Sequence, residues 1–131
     1  MKWVLAGVVT LVGCVPAEGL MPDGGLRCPA PAGPTRHRED VTRDTTWEAA
    51  GSPHLVETDV DVVDGATLRI EPCAEVRFSK GAHLRVAYPS TPGRGALIAE
   101  GAPDRPITFT GADGARWASL FIAAPGTARL A

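Results

Sequence analysis

The amino-acid sequence predicts an all-β fold, a short parallel β-helix (a solenoid) of about two to three coils. First, the 131 residues include 15 Gly and 12 Pro, and so many turn-forming residues suit short strands better than long helices. Second, apolar-X-apolar triplets recur every eight residues, at 60–62, 68–70, 76–78 and 84–86. Third, eight residues are too few for a hairpin of ordinary strands, whereas three such units make one three-sided coil of 24 residues.

Length and charge limit the organisation of the chain and the classes of partner. One ordinary domain is the most that 131 residues accommodate. The formal net charge is −2, with 13 Lys plus Arg scattered among 15 Asp plus Glu. Because no basic face is available to follow a phosphate backbone, nucleic acid is excluded as an expected partner.

The first fourteen residues have the pattern of an export signal. Met1 and Lys2 supply a positive start, and 3–12 is an apolar run. This run is too short for a transmembrane helix, which needs about 20 apolar residues. The segment 11–14, Leu-Val-Gly-Cys, resembles the lipobox of bacterial lipoproteins, which implies that Cys14 is acylated and becomes the new amino terminus after residues 1–13 are removed. In that family Val15 after the cysteine favours the outer membrane, so we expect a lipid-anchored protein of the cell envelope.

Residues 14–46 are predicted to be a disordered tether, and 47–131 the folded domain. The tether is rich in Pro and Gly and has no apolar periodicity. At its end, the mixed charges of 36–40 are expected to form a solvated loop.

Each triplet predicts a very short strand with one buried and one outward face. Alternation places the two apolar side chains on one face and the charged central residue on the other. The central residues are Asp61, Arg69, Arg77 and Arg85. One coil on, 60–62 lies beside 84–86 in a parallel ladder, so Asp61 is expected next to Arg85. We expect this ion pair to be exposed and worth about 0 to 1 kcal/mol, and therefore the stacked apolar interior to provide the stability.

Later segments keep the alternation with longer loops between them. A solenoid tolerates such insertions because they leave the stack at a corner. The segments are 95–99, 106–110 and 117–122, and 127–131 begins another strand. We expect these residues to be the first coils of the solenoid, with an open end that needs a cover.

Three stretches of the sequence resemble right-handed parallel β-helix proteins of the pectin-lyase-like type. They are Gly51-Ser52-Pro53-His54 leading into 60–62, then 65–72, and later 106–110 with Trp117. The resemblance covers roughly residues 47–131 and implies the amino-terminal portion of such a fold. It rests on pattern without a catalytic signature, so it implies the fold more than an activity.

Two further expectations concern sulfur and tryptophan. Family sequences often carry Gly where this chain has Cys73. Cys28 and Cys73 are the pair that remains in an exported chain, and we expect a disulfide between them, the alternative being two free thiols. Trp47 is expected to cover the apolar end of the first coil, and Trp117 to be a core or cap residue.

The family includes polysaccharide lyases and hydrolases, which need clustered carboxylates from neighbouring coils. This chain has no acidic cluster at one-coil spacing, so no catalytic residue is assigned. The candidate binding residues are Arg69, Arg77 and Arg85. On a three-sided coil they lie on three different faces. A two-strand coil would instead align Arg69 with Arg85 to hold an acidic glycan. Solvated surface positions are the simpler interpretation.

The histidines show no zinc-site spacing, and no metal or cofactor is expected; they are His37, His54 and His83. Two functional hypotheses follow. The first is a non-catalytic envelope lipoprotein, a structural or adhesion module that binds surface glycan or another envelope protein. The alternative is the amino-terminal part of a polysaccharide lyase or hydrolase.

Overall fold

The computed structural model describes residues 28–88, 94–116 and 119–131. Short β-strands dominate these ranges, as the sequence predicted, and helix is limited to two single-turn 3-10 segments, Ala49–Gly51 and Ala112–Gly114. Within the same ranges no helix has the length and apolar character needed to cross a membrane. The strands are β1 (Thr35–His37), β2 (Thr45–Trp47), β3 (His54–Val56), β4 (Val60–Val62), β5 (Ala66–Ile70), β6 (Glu75–Phe78), β7 (His83–Val86), β8 (Gly95–Ala99), β9 (Thr108–Gly111), β10 (Ser119–Ile122) and β11 (Thr127–Leu130).

The strands form three parallel sheets, and consecutive strands from β2 onward fall in different sheets. The sheet orders are β1-β3-β6-β9, β4-β7-β10 and β2-β5-β8-β11. From β2 on, each strand therefore pairs with the strand three further along the chain. Val41 forms a parallel bridge with Val62 and so extends the sheet that contains β4. The predicted register is confirmed where β4 meets β7, because Val60 lies opposite Leu84 and Asp61 opposite Arg85.

The apolar positions of the predicted triplets form the core. Their eight side chains are at most 1% exposed and belong to one cluster shared by all three sheets. Burying a Val, Leu, Ile or Phe side chain contributes about 1.5 to 3 kcal/mol relative to leaving it exposed. The eight are Val60, Val62, Leu68, Ile70, Val76, Phe78, Leu84 and Val86.

The folded part begins earlier than the predicted boundary at Trp47. Both β1 and the Val41 bridge lie inside the segment predicted as a tether, and β2 overlaps its end. The predicted loop at 36–40 also includes part of β1. These strands were missed because they are only three residues long and owe their order to partners later in the chain, β3 and β5. The disordered-tether prediction is therefore wrong for residues 35–46.

Side chains at the corners connect one level of strands to the next. Each accepts a hydrogen bond from a backbone N–H that lies 21 to 24 residues further on. Such contacts satisfy donors at the starts of strands and hold the register of neighbouring strands. The four pairs are Asp40 with Asp61 N, Asp44 with Thr67 N, Ser52 with Glu75 N and Asp59 with His83 N, at 2.9–3.0 Å.

One glycine is required by a close approach of two strands. A Cβ atom on Gly95, the first residue of β8, would overlap the carbonyl oxygen of Val62. Because that neighbour is backbone, it has little freedom to move away. Gly95 thus allows β8 to enter its sheet past the end of β4.

Candidate functional site

The three candidate arginines lie in three different sheets. Arg69 is in β5, Arg77 in β6 and Arg85 in β7, and these strands belong to separate sheets. The prediction that the three arginines do not share one face is confirmed. The two-strand alternative, which would align Arg69 with Arg85, is wrong.

Arg85 is occupied by protein contacts. Its Nε lies 2.6 Å from Asp61 Oδ1 and its Nη2 3.1 Å from Asp61 Oδ2, so the pair is bidentate. A second carboxylate, Asp59, lies 3.1 Å from Nη1, and the guanidinium carbon is 4.2 Å from the ring centre of Tyr88. The hydrogen bond from Arg85 to Asp61 raises the pKa of the guanidinium further above its already high value. Arg85 therefore has a structural role.

The Asp61–Arg85 pair was predicted correctly in its register but wrongly in its exposure. Asp61 is only 4% exposed, because the Val41 segment covers β4 and donates from Val41 N to Asp61 O at 2.8 Å. The contribution of a buried bidentate ion pair to stability depends on its geometry much more than that of an exposed pair, which is what the sequence suggested.

Asp59 joins the same network from the corner before β4. It accepts hydrogen bonds from both N and Nδ1 of His83, at 3.0 and 2.9 Å. Desolvation acts to raise the pKa of Asp59, but the His83 hydrogen bonds and the charge of Arg85 outweigh it and lower the pKa overall. Two neighbouring carboxylates, Asp59 and Asp61, are thus both bound to a cation or an imidazole.

The other two candidate arginines differ from each other. Arg77 pairs with Glu75 of its own strand. Arg69 is exposed and, within the described ranges, has no carboxylate partner. It lines a small surface cleft of about 160 Å³ together with Asp44, Thr45, Thr46 and Thr67. Of the three predicted residues, Arg69 is the one whose guanidinium remains free to bind a ligand among the described contacts.

Cys28 and Cys73 form the predicted disulfide, with their Cα atoms 5.5 Å apart. Cys73 lies in the turn between β5 and β6 at a φ of 76°, in the left-handed region where glycine is unstrained. This explains physically why a glycine would suit the position. The bond ties residue 28 to the core, well before the first strand.

Sequence reasoning missed a cluster of three stacked rings, from His37 in β1, Trp47 in β2 and His54 in β3. The ring centres of His37 and Trp47 are 4.0 Å apart, and those of Trp47 and His54 5.4 Å. Trp47 is 2% exposed and belongs to the core cluster, so it packs against the apolar interior, and its role as a cover for the end of the first coil stays a prediction. Little in the sequence indicated that His37 would join this cluster, since charged residues surround it in the chain.

The two imidazoles form a relay that ends on a backbone carbonyl. His54 Nε2 lies 2.8 Å from the carbonyl oxygen of Glu48, and His54 Nδ1 lies 2.9 Å from His37 Nε2. Because a carbonyl only accepts hydrogen bonds, His54 Nε2 carries the hydrogen. Neutral His54 then accepts at Nδ1, His37 donates from Nε2, and neutral His37 is left with Nδ1 as an acceptor.

Burial lowers the pKa of both rings and so favours their neutral forms. Desolvation, with a further effect of the neighbouring His54, lowers the pKa of His37 to about 4. Desolvation also lowers the pKa of His54, against the opposing effect of its hydrogen bond to the Glu48 carbonyl. The rings line a cleft of about 460 Å³ whose polar side chains include Glu39, Asp40 and Arg43.

Acid is expected to destabilise the fold through His37. Its folded pKa of about 4 lies below the value of 6.5 for an unperturbed histidine, so between these values the unfolded chain binds more protons. The contribution of neutral His37 to stability should then be fully present above about pH 6.5. Below that pH the free energy of unfolding should fall by about 1 kcal/mol per pH unit, once solvent screening is allowed for. Urea unfolding at about pH 7 and pH 5 measures this, and His37→Gln should flatten the slope. An equal slope in that variant would contradict the assignment.

Several predicted features fall outside the described residues or form no cluster. Cys14, Val15 and the signal segment 1–13 lie outside them, as does Trp117. Within the described ranges, no group of three or more His, Cys, Asp or Glu side chains is placed to hold a metal ion.

Comparison of the chain with protein families, with curated proteins and with solved structures gave no match.

Proposed function

We propose that the chain is a non-catalytic lipoprotein of the cell envelope, placed in the outer membrane by Val15, anchored through Cys14 and carrying a binding module. The module is a right-handed parallel β-helix whose outer surface contacts an acidic glycan or another envelope protein. The observation that carries the proposal is the exposed guanidinium of Arg69, which lines a surface cleft and has no carboxylate partner within the described ranges.

The pairing of every third strand supports the solenoid part of the proposal. Each sheet gains a strand only after the chain has contributed to the other two sheets, which is how a three-sided coil builds its faces. The inner faces share one apolar cluster, while the central residues of the triplets point away from it.

The outer face around Arg69 suits an anionic ligand. Arg69 lies beside Thr46 on one side and Ile98 on the other, so hydroxyl and apolar groups flank the guanidinium. Asp44 also lines the cleft, and its Oδ1 accepts a hydrogen bond from Thr67 N. On β11 of the same sheet, Arg129 lies next to Ile98 and forms an ion pair with Glu100 at 2.8 Å. A guanidinium offers paired donors that match the two oxygens of a carboxylate.

The contacts of Asp59 and Asp61, the two carboxylates beside Arg85, favour a non-catalytic role for that part of the surface. A glycoside hydrolase needs two carboxyl groups free to exchange protons or attack the substrate. Asp59 and Asp61 instead bind Arg85 and His83. The alternative of a polysaccharide lyase or hydrolase is tested by the same binding experiment.

Arg69→Ala is expected to weaken binding of the full-length chain to polygalacturonate about tenfold at low salt, the loss of one charge-assisted hydrogen bond. Affinity is measured by calorimetry in neutral detergent. Arg77→Ala is the matched control, because it removes the same charge from a residue already paired with Glu75. Equal effects of the two variants, or no binding by the unaltered chain, would exclude the Arg69 face. Cleavage of the polymer would establish the enzymatic alternative.

Cys14→Ala is expected to release the protein from the membrane fraction into the soluble extracytoplasmic fraction, because the acyl chains that anchor it can no longer be attached. Fractionation of cells followed by immunoblotting measures the release. A Cys28→Ser and Cys73→Ser double variant, which retains Cys14, serves as the control and should stay with the membrane. Continued membrane retention of the Cys14 variant would contradict the anchor.

A further inference from the structure

The segment from Cys28 to Val41, which we call the strap, is fixed at both ends and lightly attached between them. Its first residue is bonded to Cys73, and Val41 is buried and forms a parallel bridge with Val62. The strap contains β1, the edge strand of its sheet, and residues 28–40 are exposed except at two partly buried positions. A segment with so few buried apolar contacts can open locally while the rest of the fold stays closed.

His37 attaches the middle of the strap to the rest of the domain. Its ring stacks on Trp47, with 4.0 Å between the ring centres, and its Nε2 lies 2.9 Å from Nδ1 of His54. Next to these contacts, β1 donates a backbone hydrogen bond from Thr35 N at 3.0 Å and accepts one at His37 O from Glu57 N at 3.1 Å. Closure of the strap therefore relies in part on a hydrogen bond between two imidazoles.

The two imidazoles can hold one added proton but not two. Because His54 Nε2 donates to the Glu48 carbonyl, the neutral pair has His37 Nε2 as donor and His54 Nδ1 as acceptor. A first proton on His37 Nδ1 leaves that hydrogen bond intact. A second proton, on His54 Nδ1, places hydrogens on both nitrogens of the bond and like charges on two rings whose centres are 5.2 Å apart. The hydrogen bond is then lost.

We propose that the strap is a pH-sensitive switch, in which protonation of both His37 and His54 lifts β1 off β3. Opening makes β3 an edge strand, because β1 is its neighbour on that side, and it uncovers the ring of Trp47. An edge strand presents unpaired backbone donors and acceptors, which can pair with another extended segment. The disulfide and the Val41 bridge stay in place, so the strap can close again when the pH rises.

Burial sets the pH range of the switch. Desolvation, with the charge of His54, lowers the pKa of His37 to about 4 in the closed strap, and desolvation also lowers the pKa of His54. In the open strap both rings are solvated, and the ordinary pKa of histidine is 6.5. The open form therefore binds protons more readily. Its population should grow as the pH falls below about 6.5, by up to about tenfold per pH unit for each proton bound.

The charged groups around the two rings do not replace them as the trigger. Arg36 and Arg38 pair with Glu57 on the outer side of β1, and these contacts, that of Arg38 first, lower the pKa of Glu57, so the ion pairs persist in mild acid. The charge of Glu48 favours protonated His54, but desolvation is the larger effect. The charged side chains that line the same cleft are Glu39, Asp40, Arg43 and Glu48.

The first test measures backbone amide hydrogen exchange of the full-length chain in neutral detergent at about pH 7 and about pH 5. Protection factors, which correct for the intrinsic effect of pH on exchange, should fall at least about tenfold for the amides of Thr35 and Glu57. Those of Ser79 and Ala87, which donate to carbonyls of β3 and β4, should stay unchanged. No fall at Thr35 and Glu57, or an equal fall at Ser79 and Ala87, would overturn the proposal.

The second test identifies the titrating groups with variants. His37→Gln should remove most of the fall in protection, because an amide can donate to neutral His54 or accept from protonated His54. His83→Gln is the matched control, since it replaces a histidine that binds Asp59 outside the strap, and it should retain the full response. Protection at pH 7 shows whether each variant folds, and His54→Gln carries the same expectation if His37→Gln does not. A full response in the folded variant would contradict the switch.

Discussion

Replacing Cys28 and Cys73 together by serine is expected to lower the free energy of unfolding by about 4 kcal/mol. The disulfide spans 45 positions of the chain, and closing a loop of that size removes much of the conformational freedom of the unfolded chain. The loss is a large fraction of the stability of so small a domain. Replacing both residues avoids leaving a reactive thiol. The measurement is urea unfolding of the full-length chain in neutral detergent.

Two controls distinguish the effect of the bond from that of the serines. Treating the unaltered protein with a reductant should reproduce the loss seen in the double variant. Cys14→Ser, which removes the cysteine outside the described residues, should leave the unfolding midpoint unchanged. If reduction does not shift the midpoint, the bond makes no contribution to stability.

Replacing Phe78 by alanine is expected to cost about 3 to 5 kcal/mol. Phe78 is 0% exposed and lies on the inner face of β6, where Val56 of β3 and Gly111 of β9 are its neighbours in the sheet. Its ring centre is 6.4 Å from that of Phe109. Truncation leaves a cavity between three levels of strands, which short rigid strands cannot close.

The matched control for Phe78→Ala is Lys80→Ala. Lys80 is exposed in the turn after β6, so the substitution should change stability by no more than about 0.5 kcal/mol. Urea unfolding compares both variants with the unaltered chain. A loss below about 1 kcal/mol for Phe78→Ala would mean that the interior is not packed as described.

Local patterns were enough to predict the central strands. Alternation and spacing are properties of neighbouring residues, so the triplets predicted both the buried faces and the pairing of Val60 with Leu84. The same spacing predicted that Asp61 would meet Arg85. The Cys28–Cys73 bond was predicted because the lipobox-like segment accounted for Cys14, which left two cysteines to pair.

The cleft and its relay depend on residues that the sequence does not relate to one another. His37 and His54 are 17 positions apart, and neither belongs to a repeating pattern. Their contact arises because β1 adds to the edge of β3, and strand addition at an edge is decided by the whole sheet. A prediction from local pattern therefore assigned β1 to the tether and His37 to a solvated loop.

Alternation, spacing and composition were enough to predict the all-β class and the inward and outward faces of the central strands, and to favour the disulfide over two free thiols. Where the fold begins, how far Asp61 is buried and which of the three arginines is left free are properties of the folded chain. Burial and ion pairing depend on what packs over a side chain, and for these residues the covering groups come from distant segments. The Val41 segment beside Asp61 is one such cover, and the carboxylates of Asp59 and Asp61 around Arg85 are another.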